Sequence, residues 1–276
     1  MSISEVMMFY RSNKSVFRRL LNFLGFIFLY QSLGSSLLWA IPPDAPHPLA
    51  LANTAEQLIL SPLNNADLAD QAEQTPGALT FAKSREVEIN TLTHGTWTAL
   101  DDGRMLWRFS LQSPGAYSLN LGFDHYHMPE DGALFIYSPD GAEVIGPFTS
   151  EDNESHGQLW TPLIKGDALV IEINIPTTAT NELMLSLKRV GHDFRNYFKL
   201  EKSGSCHADV ACEEGNEWRN EIRAVGSMVI NGAAQCSGVL LNNTSQDRTP
   251  YFLSANHCGV TVDNAPSVLV FWNYEN

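Results

Sequence analysis

The chain reads as an all-β protein in two blocks: an antiparallel β-sandwich over residues 85–190, then a second β-rich block over 203–276. Three observations predict this. Short apolar or alternating runs recur through 85–190, separated by turn signals and without a helical period. In the second block, Val225–Ile230 and Ala233–Leu241 flank Asn231-Gly232, a hairpin signal because both turn residues tolerate positive φ. All four cysteines (Cys206, Cys212, Cys236, Cys258) fall in that same block, so any disulfide framework is confined to it.

The elements follow in order. Residues 1–40 open with Arg11, Lys14, Arg18 and Arg19, then the apolar core Phe23-Leu24-Gly25-Phe26-Ile27-Phe28-Leu29-Tyr30. A basic stretch before a short apolar one is the pattern of a secretory signal peptide, with cleavage after Ala40 or at Ala50-Leu51-Ala52. The alternative is a membrane anchor over residues 20–41, but Gln31, Ser32, Gly34, Ser35 and Ser36 interrupt the about 20 mainly apolar residues that a span needs. Residues 41–84 read as a linker, proline-rich at first (Pro42, Pro43, Pro46, Pro48) and holding one short helix near Thr54–Leu60.

Within the sandwich, strands are predicted at Val87–Leu92, Met105–Ser110, Tyr117–Phe123, Leu134–Ser138, Leu159–Leu163, Ala168–Ile175 and Leu183–Val190. Glu172 and Asn174 alternate with Ile171, Ile173 and Ile175, which predicts one sheet face turned to water. Trp97, Trp107 and Trp160 are candidate core anchors. A polar stretch with Arg195, Lys199 and Lys202 leads out of the sandwich, and 191–202 reads as a linker between the blocks. Tyr251–Ser254 and Ser267–Trp272 supply further strands of the second block.

The composition narrows the function classes. With 276 residues, 44% of them hydrophobic, the chain can bury sizeable cores. A net charge of -14, from 31 acidic and 17 basic residues, argues against a nucleic-acid face, because phosphate contacts need clustered Lys and Arg.

The chemistry concentrates at Tyr251-Phe252-Leu253-Ser254-Ala255-Asn256-His257-Cys258. An apolar strand runs into a turn that presents a histidine beside a cysteine. A general-base histidine must be held at a fixed angle to its nucleophile, and a bridge from Cys258 to Cys236 would hold this one. The local pattern alone also fits an ordinary turn histidine beside an ordinary disulfide. A zinc site assembled from Cys206, His207, Cys212, His257 and Cys258 is disfavoured, since no pair has C-x-x-C spacing and export favours oxidation. His125 and His127 read as wet loop residues or a two-histidine surface site.

Residues 203–276 resemble the first part of the lysyl endopeptidase family, bacterial serine proteases of the chymotrypsin type. The resemblance rests on Ser203-Gly204-Ser205-Cys206, Val210-Ala211-Cys212, Ile222-Arg223-Ala224-Val225-Gly226, Cys236-Ser237-Gly238, Leu241-Asn242-Asn243-Thr244, Asp247-Arg248, the Tyr251–Gly259 run and Phe271-Trp272-Asn273-Tyr274. Upstream, Leu119-Asn120-Leu121-Gly122-Phe123, Gly146-Pro147-Phe148-Thr149 and His156-Gly157-Gln158-Leu159-Trp160-Thr161-Pro162 look like segments of the family's pro-regions.

The resemblance implies a secreted prepro-enzyme. Residues 85–190 would be a removable sandwich pro-domain acting as folding aid or inhibitor, and 203–276 the first part of a chymotrypsin-like double β-barrel. His257 falls on the catalytic histidine, Cys236 pairs with Cys258, and Cys206 and Cys212 bridge to positions beyond Asn276; a local Cys206–Cys212 bridge is the alternative. Processing at Lys202–Ser203 is implied, as are protein or peptide substrates cut after lysine or arginine, with no cofactor, no metal and no stable membrane association once the signal is removed. The triad order His, Asp, Ser places the aspartate and serine beyond Asn276, since Asp263 is too close in sequence and Ser237 and Ser254 lie in strands without an oxyanion nest. The chain is therefore expected to be a truncated precursor, inactive as it stands, whose incomplete barrel has sticky edges unless the sandwich covers them. The competing expectation is a secreted sandwich that binds carbohydrate or protein and carries a degenerate protease remnant.

Overall fold

The computed structural model describes residues 55–74, 77–200 and 210–274, together with the backbone of Met8–Phe9. The rest of the 1–40 signal or anchor stretch, the Lys202–Ser203 bond and Cys206 lie outside the described residues. In chain order the upstream strands are β1 (Met8–Phe9), β2 (Glu56–Ile59), β3 (Leu79–Thr80), β4 (Ala82–Asn90), β5 (Thr96–Ala99), β6 (Arg104–Gln112), β7 (Ser118–His127), β8 (Ala133–Tyr137), β9 (Val144–Phe148), β10 (Leu159–Trp160), β11 (Ile164–Lys165), β12 (Ala168–Pro176) and β13 (Met184–Asp193). The downstream strands are β14 (Val225–Ile230), β15 (Ala234–Leu241), β16 (Tyr251–Ser254) and β17 (Leu269–Trp272).

Two sheets make the sandwich, ordered β10-β7-β13-β4 with β11 added to β7, and β2-β6-β12-β8-β9 with β5 added to β6. Their pairings are antiparallel except for β2, which lies parallel to β6. The core between them takes alternate residues from both inner faces. Trp107, Phe109 and Leu111 of β6 and Ile171, Ile173 and Ile175 of β12 meet Leu119, Leu121 and Phe123 of β7 and Leu187 of β13. Period-two burial of this kind is what fixes strand register. Trp107 is fully buried and its indole N–H donates to the His94 carbonyl at 2.7 Å, so the largest core side chain keeps a polar partner. Trp97 and Trp160 are half-buried.

Two expectations are corrected. The described part of the Thr54–Leu60 stretch, residues 55–60, holds no helix: residues 56–59 extend along β6, whose edge supplies main-chain partners that propensity cannot anticipate. The helix, α1 (Asn65–Glu73), lies further on, where Asn64 caps it by accepting from Ala66 N and Asp67 N. The second correction concerns β12, whose polar residues are not wet. Glu172 is fully buried and Asn174 nearly so. Arg108 of the neighbouring β6 pairs with Glu172 at 2.9 Å, the Tyr137 hydroxyl donates to the same carboxylate, and Arg104 reaches Asn174. A period-two pattern separates the faces of a sheet but cannot distinguish a hydrated face from one buried around an ion pair.

The third sheet runs β1-β16-β15-β14-β17 and stays open among the described residues. Asn231 and Gly232 both take positive φ (51° and 62°) and close the β14–β15 hairpin. Met228, Ile230, Phe252, Cys258 and Val268 form the core on one side of this sheet. Its other side is filled from upstream: Phe81 and Tyr197, both fully buried, pack with Val229, and Leu269, Phe271 and Tyr274 lie against them. β3 adds to the sheet as an extra strand on β15, with Thr80 opposite Ala234 and Leu79 opposite Gln235.

Candidate active site

His257 sits on a short 3-10 turn, Asn256–Cys258, directly after β16. The turn is closed by Cys258 N donating to the Ala255 carbonyl at 3.0 Å and Gly259 N to Asn256 O at 3.1 Å. Gly259 ends it with φ 72°, a conformation that favours glycine. Asn264 braces the exit by accepting from Thr261 N at 2.7 Å and donating to Gly259 O at 3.0 Å.

Cys236 of β15 and Cys258 are joined by a disulfide with a Cα–Cα distance of 5.8 Å. Cys258 is buried while His257 beside it is exposed. An imidazole nitrogen and both sulfurs lie within 4.8 Å of one another. The sulfurs are spent on each other and offer no thiolate, so this triangle is a mechanical clamp and a poor metal site. Ser254 Oγ adds a brace, donating to the Ser237 carbonyl at 2.7 Å with Cys258 Sγ 3.2 Å away. Gly238 explains the Cys-Ser-Gly run: a Cβ there would collide with the Phe252 ring and come within 2.6 Å of the Leu253 carbonyl. Only glycine lets β16 close on β15 at the height of the histidine.

Among the described residues, none hydrogen-bonds the His257 imidazole, and Asp263 is exposed. Ser237 and Ser254 lie on β15 and β16 and serve the brace. Asp247 accepts from Thr249 N at 2.9 Å and from Asn243 at 2.6 Å, and these hydrogen bonds hold its carboxyl down at about 2. It organises the β15–β16 loop. Cys212 is exposed with a free thiol among the described residues. His125 and His127 are exposed on strand β7, not in a loop, and His125 Nδ1 lies 3.1 Å from Asp124.

The sequence reading missed how the upstream block reaches this sheet. Asp193, fully buried, accepts from Ser118 Oγ at 2.6 Å and from the backbone N–H groups of Arg195, Asn196 and Tyr197 at 2.8–2.9 Å. Burial raises its carboxyl above the usual range, and these donors pull it back. The resulting turn aims Tyr197 into the third sheet, where its hydroxyl meets Ser227 Oγ at 2.8 Å and Gln235 also donates to Ser227. An aspartate followed by a short polar run is a weak signal for such a turn.

A disulfide-clamped, exposed histidine on an open antiparallel sheet, preceded by a sandwich, places the chain in the chymotrypsin-like all-β class. The comparisons narrow this: residues 51–194 match the lysyl endopeptidase N-terminal domain and residues 200–276 match the lysyl endopeptidase C-terminal domain. The chain belongs to the lysyl endopeptidase family. It is similar to lysyl endopeptidase of Pseudomonas aeruginosa, 28% identical over 207 residues covering 68% of this chain and 44% of the relative. The chain thus spans less than half the length of that relative. No solved structure matches it. No helix among the described residues is long and apolar enough to cross a membrane.

Proposed function

We propose that this chain is the histidine-bearing portion of the precursor of a secreted serine endopeptidase that cuts after lysine or arginine. Residues 1–40 act as the signal, 41–84 and the 85–190 sandwich form the pro-region, 191–202 is the activation linker cut at Lys202–Ser203, and 203–276 begins the protease domain. Family membership supports a protease-related role. The single observation that carries the catalytic reading is the exposed His257 imidazole beside the Cys236–Cys258 bridge.

In this reading His257 accepts the proton of a serine hydroxyl as it attacks the scissile carbonyl, then returns it to the leaving amine; water completes deacylation by the same route. The clamp fixes the backbone of the turn that presents the ring, so the imidazole is offered from a rigid base. The serine and the orienting aspartate lie outside the described residues in this reading, so the described residues alone are expected to hydrolyse nothing. The test is turnover of lysyl and arginyl esters by a version extended past Asn276. Activity should be blocked by a serine-directed inhibitor and fall by about a millionfold in kcat in His257→Ala. A folded, inactive extended protein would instead favour a sandwich that binds carbohydrate or protein. One observation favours that second reading: an open cleft of about 610 Å³ on the β4–β13–β7 sheet, floored by Trp160 on Gly122 and ringed by Glu86, Glu88, Asp124 and Lys188.

A further inference from the structure

Residues 77–82 lie between α1 and β4 and pass beside the His257 turn. Both ends are tied to the sandwich. Upstream, α1 is held by Asn65, which pairs with His192 at 2.9 Å and donates to Gly115 O at 2.8 Å, and by Arg195, which donates to Ala69 O at 3.0 Å. Downstream, β4 is locked along β13 from Ala82 to Asn90.

Between these anchors the chain lies on β15. Leu79 and Thr80 pair with Gln235 and Ala234, and both Phe81 N and Ala82 N donate to the Ala233 carbonyl, at 2.9 and 3.2 Å. β16 covers the same side of β15 only from Gly238 to Leu241. Cys236, between the two covered stretches, is the residue that crosses to the His257 turn. A Cβ built on Gly77 would stand 4.0 Å from the His257 carbonyl oxygen, so the segment passes directly beside the turn. A strand edge with unpaired N–H and C=O groups is a template for any extended polypeptide, recognised through main-chain bonds whatever its sequence. On the His257 side of β15, that template is the Ala234–Gln235 stretch.

We propose that residues 77–82 are a cis-acting strap: they occupy, as an added antiparallel strand, the edge beside His257 on which an extended peptide would be laid. The chain's own upstream segment and a peptide from solution then compete for one edge, and the strap wins in cis because its tethers hold it there at an effective concentration on the order of millimolar. The inference rests on His257 as the catalytic base for its functional meaning. The contact itself does not.

The experiment is hydrogen exchange on the full chain, unmodified and as Leu79→Pro, with the blocked hexapeptide Gly-Ala-Leu-Thr-Phe-Ala as probe. In the unmodified chain, amides at 79–82 and 234–236 should be protected together. In Leu79→Pro, amides at 234–236 should exchange about tenfold faster while β12 is unchanged, since one or two ladder hydrogen bonds are lost. The hexapeptide at about 10 mM, above that effective concentration, should restore protection of 234–236 in the variant and expose 79–80 in the unmodified chain while 234–236 stay covered. Unprotected 79–80 amides in the unmodified chain without peptide would overturn the strap even if the proline variant does not fold. So would an edge that stays open at that peptide concentration. None of these readouts needs turnover, so the strap can fail while the catalytic assay succeeds, and the reverse.

Discussion

Tyr197 is the side chain through which the upstream block holds the third sheet, and its removal has a calculable effect. The ring is fully exposed to protein and not at all to water, with Phe81, Phe271, Tyr274 and Phe198 centroids 4.8, 5.6, 5.2 and 5.7 Å away. Truncating such a ring to alanine removes its transfer free energy and leaves a cavity, together about 3–5 kcal/mol. The hydroxyl adds less. Ser227 keeps its bond from Gln235 at 2.9 Å when the phenol is gone, so Tyr197→Phe should cost only about 1 kcal/mol. Total stabilities of single domains are about 5–15 kcal/mol, so the alanine loss is a large fraction of what a small open sheet has. The assay is peptide-resolved hydrogen exchange in low urea. Protection of Val225–Ile230 should fall by about a thousandfold in Tyr197→Ala, from about 4 kcal/mol at tenfold per 1.4 kcal/mol, and by about fivefold in Tyr197→Phe. Protection of Ala168–Pro176 in the sandwich should hold. Retention of Val225–Ile230 protection within tenfold in the alanine variant would refute the claim that this residue anchors the sheet.

Two further outcomes are expected. His192 is fully buried, with Nδ1 against Ser113 Oγ at 2.8 Å, Nε2 against Asn65 Oδ1 at 2.9 Å, and Arg85 and Asp167 nearby. Burial, then Arg85, lowers its pKa. The stability it contributes is therefore intact above its unfolded value of about 6.5 and lost as pH falls through the lower folded value. Urea midpoints taken from pH 8 to pH 5 should show that acid limb, and His192→Gln should flatten it. For the buried Arg108–Glu172 pair, Arg108→Met or Glu172→Met alone should each cost about 3–5 kcal/mol, while the double variant should lie near the parent. Thermal unfolding of the double-mutant cycle checks this, and strictly additive losses would contradict the coupling.

What the sequence disclosed divides by range. The His257 turn was legible because its parts are adjacent: an apolar strand, a tight turn and a cysteine in one short run. The sandwich strands were legible because short apolar or alternating runs recur between turn signals, whichever faces the sheets then bury. The strap was not, since two residues, Leu79 and Thr80, carry no periodicity and their partners lie far down the chain in Ala234 and Gln235. Glu172 was misread because alternation reports which face a residue is on, not what covers that face. β5 and β9 were missed for a related reason: both are short, with mixed burial, and their order comes from β6 and β8. Phe81 and Tyr197 were plain aromatics in segments rich in linker residues, and nothing local shows that they fill a sheet belonging to another block.

The interface between the blocks joins an apolar cluster to a buried polar wedge. Among the described residues, its apolar part is the Phe81–Tyr197 cluster. Beside it, Asn120 of β7 is wedged between Gly191 and the Gly232 turn so closely that neither glycine could carry a Cβ, the Gly232 one falling 2.5 Å from Asn120 Nδ2. Both polar atoms of the Asn120 amide are buried there without a hydrogen-bond partner among the described residues. A buried amide left in that state costs about 1–3 kcal/mol, which hydration would recover when the surfaces part. A permanent core contact would favour an apolar residue at that position. The orphaned amide makes this contact weaker than an apolar one of the same shape, and the aromatic anchors and the added strand carry the attachment between the blocks.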